Sequence, residues 1–146
     1  MARLLYVEDY RDIRRMTTMA FEAAGHEVTA CADYKQAQQA LKRSLDEKKP
    51  FDLIVTDGQY PGDGVRFKTG SHQDYEGSAC LLHDHKLLGL KTPVIVMSGM
   101  ADYLVQNPYP AQCSRPNHIL HKTDYGPTRL MSALPGFIAE GITPSG

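Results

Sequence analysis

Five residues of this 146-residue chain have types that work together chemically: Glu8, Asp9, Asp57, Ser98 and Lys122. Each stands just after or at the end of a short apolar run. Glu8-Asp9 follow Leu4-Leu5-Tyr6-Val7, Asp57 follows Leu53-Ile54-Val55-Thr56, Ser98 follows Val94-Ile95-Val96-Met97, and Lys122 follows residues 118–121. If these runs are parallel strands of one sheet, all five residues meet on one edge, where open α/β sheets keep their ligand sites. Three gathered carboxylates repel one another and stay ionised cheaply only around a cation, and hard oxygen donors suit Mg²⁺ that keeps several waters. Asp57 then has the surroundings of a nucleophile toward a phosphoryl group. The metal and the Lys122 ammonium would share the phosphoryl oxygens, the Ser98 hydroxyl would donate to another, and the product would be an aspartyl phosphate. Alone, Asp57 reads as an Asp that ends a strand and opens a turn. The joint set moves the reading.

The elements that must position these residues follow from the apolar pattern. Leu53, Ile54 and Val55 are consecutive, so both faces of the segment require burial, as in a central strand of a parallel sheet covered by helices on each side. Gly58, Pro61, Gly62 and Gly64 then break regular structure. Ile13, Met16, Ala20, Phe21 and Ala24 recur at helical spacing over residues 10–24, with Gly25 as a stop and Arg11, Arg14 and Arg15 left for solvent. Residues 26–30 read as a short strand. Asp33 caps a helix to about Asp46 whose inner face is Ala37, Ala40, Leu41 and Leu45. A long loop over 58–77 precedes a helix from Gly77 or Ser78. After the strand at 94–97, only a brief helix fits over 100–106, because Asn107-Pro108-Tyr109-Pro110 stops it. A last strand at 118–121 and a short helix over 127–134 close the domain, before Pro135-Gly136 and a tail or linker over 135–146. Five such alternations predict a doubly wound α/β domain over residues 1–134 with a five-stranded parallel sheet.

Composition narrows the partners. Sixteen Lys and Arg against 17 Asp and Glu leave a net charge of -1, which makes no electrostatic case for nucleic acid or an anionic membrane. No helix-turn-helix pattern is visible, so direct nucleic-acid contact is not expected. Cys31, Cys80 and Cys113 are an odd set without CxxC spacing and suit reduced thiols. The amino terminus turns acidic too soon for a signal peptide and no apolar run could span a bilayer, so a soluble cytoplasmic protein is expected.

The acidic pair Glu8-Asp9, Asp57 followed by Pro61-Gly62, Ser98-Gly99 and Lys122 together resemble the receiver domains of two-component response regulators, of which the bacterial chemotaxis regulator is the simplest. The resemblance runs over about residues 4–134. It implies a flavodoxin-like sheet of order 2-1-3-4-5. It also implies that Glu8, Asp9, Asp57 and the backbone carbonyl of Gln59 hold Mg²⁺, that Asp57 accepts phosphate, and that Ser98 and Lys122 bind it. The implied donor is a phosphohistidine on a sensor histidine kinase or a histidine phosphotransfer protein, and the implied consequence is altered binding of an output domain or protein target. Such a chain is a switch that assists its own phosphorylation and dephosphorylation rather than an enzyme. The alternative is a receiver that works as a phosphorylation-independent interaction module.

Departures from the family pattern carry expectations of their own. Residues 63–76 are inserted before the third helix and are expected to cover the phosphorylation edge or to form a docking surface. Thr123 follows Lys122, where the family commonly has a cis proline. Ile119 stands where many receivers place an aromatic that rotates with phosphorylation. Tyr60 is read as a loop aromatic packed on the insertion. His83 and His85, near Cys80, fit no standard zinc spacing even with His72 and are read as surface histidines. His118 and His121 are read as partly buried edge residues.

Overall fold

The structure, a computed structural model, describes residues 1–67 and 75–142. Five strands alternate with five helices: β1 (Arg3–Val7), α1 (Arg11–Ala23), β2 (Glu27–Cys31), α2 (Tyr34–Asp46), β3 (Leu53–Asp57), α3 (Glu76–Leu87), β4 (Val94–Ser98), α4 (Ala101–Gln106), β5 (His118–His121) and α5 (Pro127–Ile142). The sheet is wholly parallel in the order β2-β1-β3-β4-β5. The expected doubly wound α/β fold with its 2-1-3-4-5 order and short α4 is the fold observed.

Period-two alternation divides the strand side chains between two apolar layers. Leu4, Tyr6, Leu53, Val55, Ile95 and Met97 pack with Phe21 of α1 and with Leu130, Leu134 and Phe137 of α5. Leu5, Val7, Ile54, Val94 and Val96 pack on the other face with α2, α3 and Leu104 of α4. Burial on both faces explains why β3 and β4 are continuous apolar runs. Asp33 caps α2, its carboxylate accepting from the Gln36 N–H at 2.9 Å.

Several expectations need correction. α1 turns Thr17 and Phe21 inward, Phe21 meeting the edge of Tyr6 at 5.4 Å between centroids, and leaves Ile13, Met16 and Ala24 exposed. On α2, Leu45 is exposed and Tyr34 and Ser44 are buried instead. α5 does not end at Leu134; it passes through Pro135 to Ile142, so residues 135–142 are helix rather than tail. An internal proline removes one backbone donor, at a cost of about 3 kcal/mol. The stripe of Leu130, Leu134, Phe137 and Ile138 at i, i+4, i+7 and i+8 offsets it by burying a continued apolar face. The last turn is held further by His118 Nε2 to Glu140 Oε1 at 2.6 Å.

Of the inserted 63–76 segment, residues 68–74 and with them His72 lie outside the described residues. Its first part is pinned against α2 and α3. The Arg66 guanidinium pairs with Asp63 at 2.6 Å and Asp84 at 2.9 Å and donates to Tyr34, while Phe67 meets His83 edge-on at 5.9 Å. His85 is buried, contrary to expectation, bridging the Ser114 hydroxyl at 2.7 Å and the Thr92 carbonyl at 2.8 Å. His118 and His121 are half-buried on β5, as expected.

Candidate functional site

Parallel pairing aligns the carboxyl ends of the central strands. Val7 lies level with Thr56, Asp57 with Met97, and Ser98 with His121. The chain beyond Val7 therefore delivers Glu8 and Asp9 beside Asp57, and the Lys122 N–H, donating to the Ser98 carbonyl at 3.0 Å, places its side chain over the same edge. One oxygen from each of Glu8, Asp9 and Asp57 lies within 4.8 Å of the others. Glu8 and Asp57 are buried and Asp9 is exposed. The Lys122 ammonium lies 3.0 Å from Glu8 Oε2 and 3.2 Å from Asp57 Oδ1.

The electrostatics follow from this crowding. Burial and the neighbouring Glu8 raise the Asp57 carboxyl above its ordinary range, and Lys122 pulls it back only in part. Burial lowers the Lys122 ammonium, but Asp57 and Glu8 outweigh it and the net direction is upward, so the lysine stays charged. A buried carboxylate pair with a single ammonium is short of positive charge. The donor set therefore fits a hard divalent cation such as Mg²⁺: all three donors are carboxylate oxygens, and the exposed Asp9 leaves room for retained waters.

Two of the residues singled out in the sequence sit differently from the rest. Ser98 is fully buried at the same edge, with its hydroxyl oxygen accepting from the Met100 N–H at 2.9 Å; its Cβ lies 3.2 Å from where a Cβ on Gly58 would be, so it adjoins the turn after Asp57. Gln59 is exposed, with its N–H 3.5 Å from Asp57 Oδ1. Lys122 and Thr123 are joined by a trans peptide, and the Thr123 hydroxyl and N–H both reach His121 Nδ1, at 2.7 and 3.3 Å.

The sequence reading missed three contributors. Arg14, taken as solvent-facing, donates to the Glu8 carbonyl at 2.8 Å and so holds the acidic turn. Tyr60, read as a loop aromatic packed on the insertion, is a core residue; its ring lies against Gly77, where an added Cβ would come within 2.1 Å of Cδ2. Tyr6, Ile13, Met16, Met97, Pro127 and Leu130 line an apolar cavity of about 200 Å³ that opens onto Glu8, Asp57 and Lys122. Ile13 and Met16, exposed apolar residues of α1, were the available signal for that cavity.

No family model matches the chain, and no curated protein does. Among solved structures it is similar to a CheY-like response regulator receiver domain protein from Methanospirillum hungatei JF-1, at 21% identity and a TM-score of 0.68 over 97% of each chain. It is also similar to chemotaxis protein CheY4 of Vibrio cholerae, at 24% identity and a TM-score of 0.66 over 94% of this chain and 98% of that one. A response regulator receiver domain protein from Clostridium thermocellum matches at 17% identity and a TM-score of 0.67 over 95% of each. Sheet order, layer composition and these likenesses agree: the chain has the fold of response regulator receiver domains.

Proposed function

We propose that this chain is the phosphoacceptor receiver of a two-component system, accepting a phosphoryl group on Asp57 in a Mg²⁺-dependent reaction and changing partner affinity as a result. The observation that carries the reading is the single ammonium of Lys122 set between Glu8 and Asp57 at the carboxyl edge of the sheet, 3.2 Å from Asp57 Oδ1. Glu8, Asp9, Asp57 and the Gln59 carbonyl would hold the cation, which when bound neutralises carboxylates and phosphoryl oxygens alike. An Asp57 oxygen attacks phosphorus, the P–N bond of a phosphohistidine breaks, and its electron pair leaves on the imidazole nitrogen. Lys122, released from Asp57 as the carboxylate becomes an acyl phosphate, keeps its charge for the phosphoryl oxygens. The Ser98 oxygen accepts from the Met100 N–H, which leaves its own hydrogen to donate to the same group, and that new bond is one by which phosphate shifts a two-state equilibrium.

The donor in this reading is a sensor histidine kinase or a histidine phosphotransfer protein, and the readout is an output domain or protein target in the cytoplasm. No described helix is long and apolar enough to cross a membrane. The chain acts as a switch rather than as an enzyme with an external substrate.

Incubation with acetyl phosphate, with and without Mg²⁺, tests the reading by intact mass. A phosphoryl adduct that needs the metal and is absent from Asp57→Asn is expected. A folded sample that takes up no phosphoryl group overturns the reading and leaves a phosphorylation-independent interaction module.

A further inference from the structure

Four hydroxyls lie buried beneath the turn that carries Asp57: Thr56, Tyr60, Ser78 and Tyr109, each no more than 3% exposed. Thr56 Oγ1 donates to the Asp57 carbonyl at 2.9 Å and stands 2.8 Å from the Tyr60 hydroxyl. A threonine has one hydroxyl hydrogen, so Tyr60 is the donor to Thr56. Ser78 Oγ stands 2.7 Å from the Gly58 carbonyl and 3.1 Å from that of Tyr75, both of which only accept, and 2.8 Å from the Tyr109 hydroxyl. By the same count Tyr109 donates to Ser78. Burial raises both phenols, so both remain protonated donors.

The hydroxyls therefore form two directed chains, Tyr60 to Thr56 to the Asp57 carbonyl, and Tyr109 to Ser78 to the Gly58 carbonyl. They end on successive peptide groups of one turn. With the Gly58 N–H donating to the Met97 carbonyl at 2.9 Å, the Asp57–Gly58 peptide is held from both sides. Those peptide planes set the direction of the Asp57 carboxylate and of the backbone that follows it. Gly77 is part of the construction, because α3 can approach Tyr60 only where no Cβ intervenes. Tyr109 belongs to the segment between α4 and β5 and is tied there by Arg115, which donates to its carbonyl at 2.9 Å.

We propose that Tyr60 and Tyr109 are positioning residues for the phosphoacceptor turn, acting through Thr56 and Ser78, and that the same chains carry the state of that turn to α3 and to the α4–β5 segment. This rests on the receiver reading. Energetic coupling is reciprocal, so a ligand at Asp57 must perturb the tyrosines as far as the tyrosines constrain Asp57.

The test uses the full chain with its tyrosines labelled with ¹³C at the ring ζ carbon, the signals assigned from Tyr60→Phe and Tyr109→Phe. Beryllofluoride with Mg²⁺ is the ligand. Shifts of the Tyr60 and Tyr109 signals are expected. Ser78→Ala and Tyr109→Phe should each slow adduct formation from acetyl phosphate by roughly two- to tenfold, the range of one hydrogen bond, and the double variant should be less than additive. Tyr109→Phe removes one oxygen atom only and keeps the test valid should Ser78→Ala not fold. Variants with lower melting temperatures, unchanged adduct rates and unmoved tyrosine signals would show a purely structural network and overturn the proposal. Beryllofluoride shifts confined to other residues also overturn it, leaving the receiver reading intact. A folded protein whose signals beryllofluoride does not move at all overturns both.

Discussion

Lys122, at the end of β5, holds its ammonium 3.2 Å from Asp57 Oδ1, on a strand separated from that of Asp57 by the whole of β4. The same nitrogen lies 3.0 Å from Glu8, so one positive charge serves two buried carboxylates. Removing it strips the acceptor of the cation nearest the incoming phosphoryl group. Lys122→Gln is expected to slow adduct formation from acetyl phosphate by roughly 10²-fold, the scale of losing one charged transition-state donor. Mg²⁺ affinity should hold or rise, because a competing cation is gone. Equal rates in the two proteins would remove Lys122 from the reaction.

Burial and Glu8 raise the Asp57 carboxyl, so its ionised form is less favourable in the fold than in the unfolded chain. A neutral isostere relieves that. Without metal at neutral pH, Asp57→Asn is expected to melt higher by roughly 3 °C, the shift that about 1 kcal/mol makes in a domain of this size. Added Mg²⁺ should stabilise the wild type more than the variant. Thermal melts with and without the metal check both differences.

Gly77 stands where a Cβ would meet the Tyr60 ring at 2.1 Å and the Tyr60 carbonyl at 2.6 Å. Gly77→Ala must push apart α3 and the turn after β3, backbone included. A loss of about 1–3 kcal/mol is expected from denaturant unfolding, despite the better helix propensity of alanine. Gly136 also lies inside a helix, but a Cβ added there would meet nothing within 4 Å. It is the control, and Gly136→Ala should not destabilise.

His85 supplies the pH dependence. Its Nε2 faces a carbonyl at Thr92 that only accepts, so the neutral ring donates from Nε2 and receives from Ser114 at Nδ1. Burial lowers its pKa from 6.5, hence the unfolded chain binds the proton first. Its contribution to stability is full above the unfolded pKa and is lost as pH falls below it. Stability should therefore rise with pH through the window just below 6.5, and His85→Gln should flatten that slope relative to the wild type. Parallel slopes in the two proteins would contradict this.

The strands and the acidic edge were legible because uninterrupted apolar runs are rare outside doubly buried strands and each run ended in a polar residue of a distinct type, whereas the strand order came only through the resemblance to receiver domains. Helix faces were read less well. Ile13 and Met16 look like core at helical spacing, yet α1 turns Thr17 inward and leaves them at a cavity mouth. Pro135 reads as a stop, and the packing of Phe137 and Ile138 beyond it carries α5 on. Arg14, Tyr60, Ser78 and Tyr109 were invisible as contributors for another reason. Their partners are backbone carbonyls and single hydroxyls, at separations from 4 to 31 residues, and such contacts leave no period or common spacing.

The most direct measurement is the position of the phosphoryl group. After incubation with acetyl phosphate and Mg²⁺, borohydride reduction turns an aspartyl phosphate into homoserine, which peptide mass spectrometry locates by residue. Reduction at position 57 alone is expected. Reduction at Glu8 or Asp9, or none in a sample that carries the phosphoryl mass, would contradict Asp57 as the acceptor.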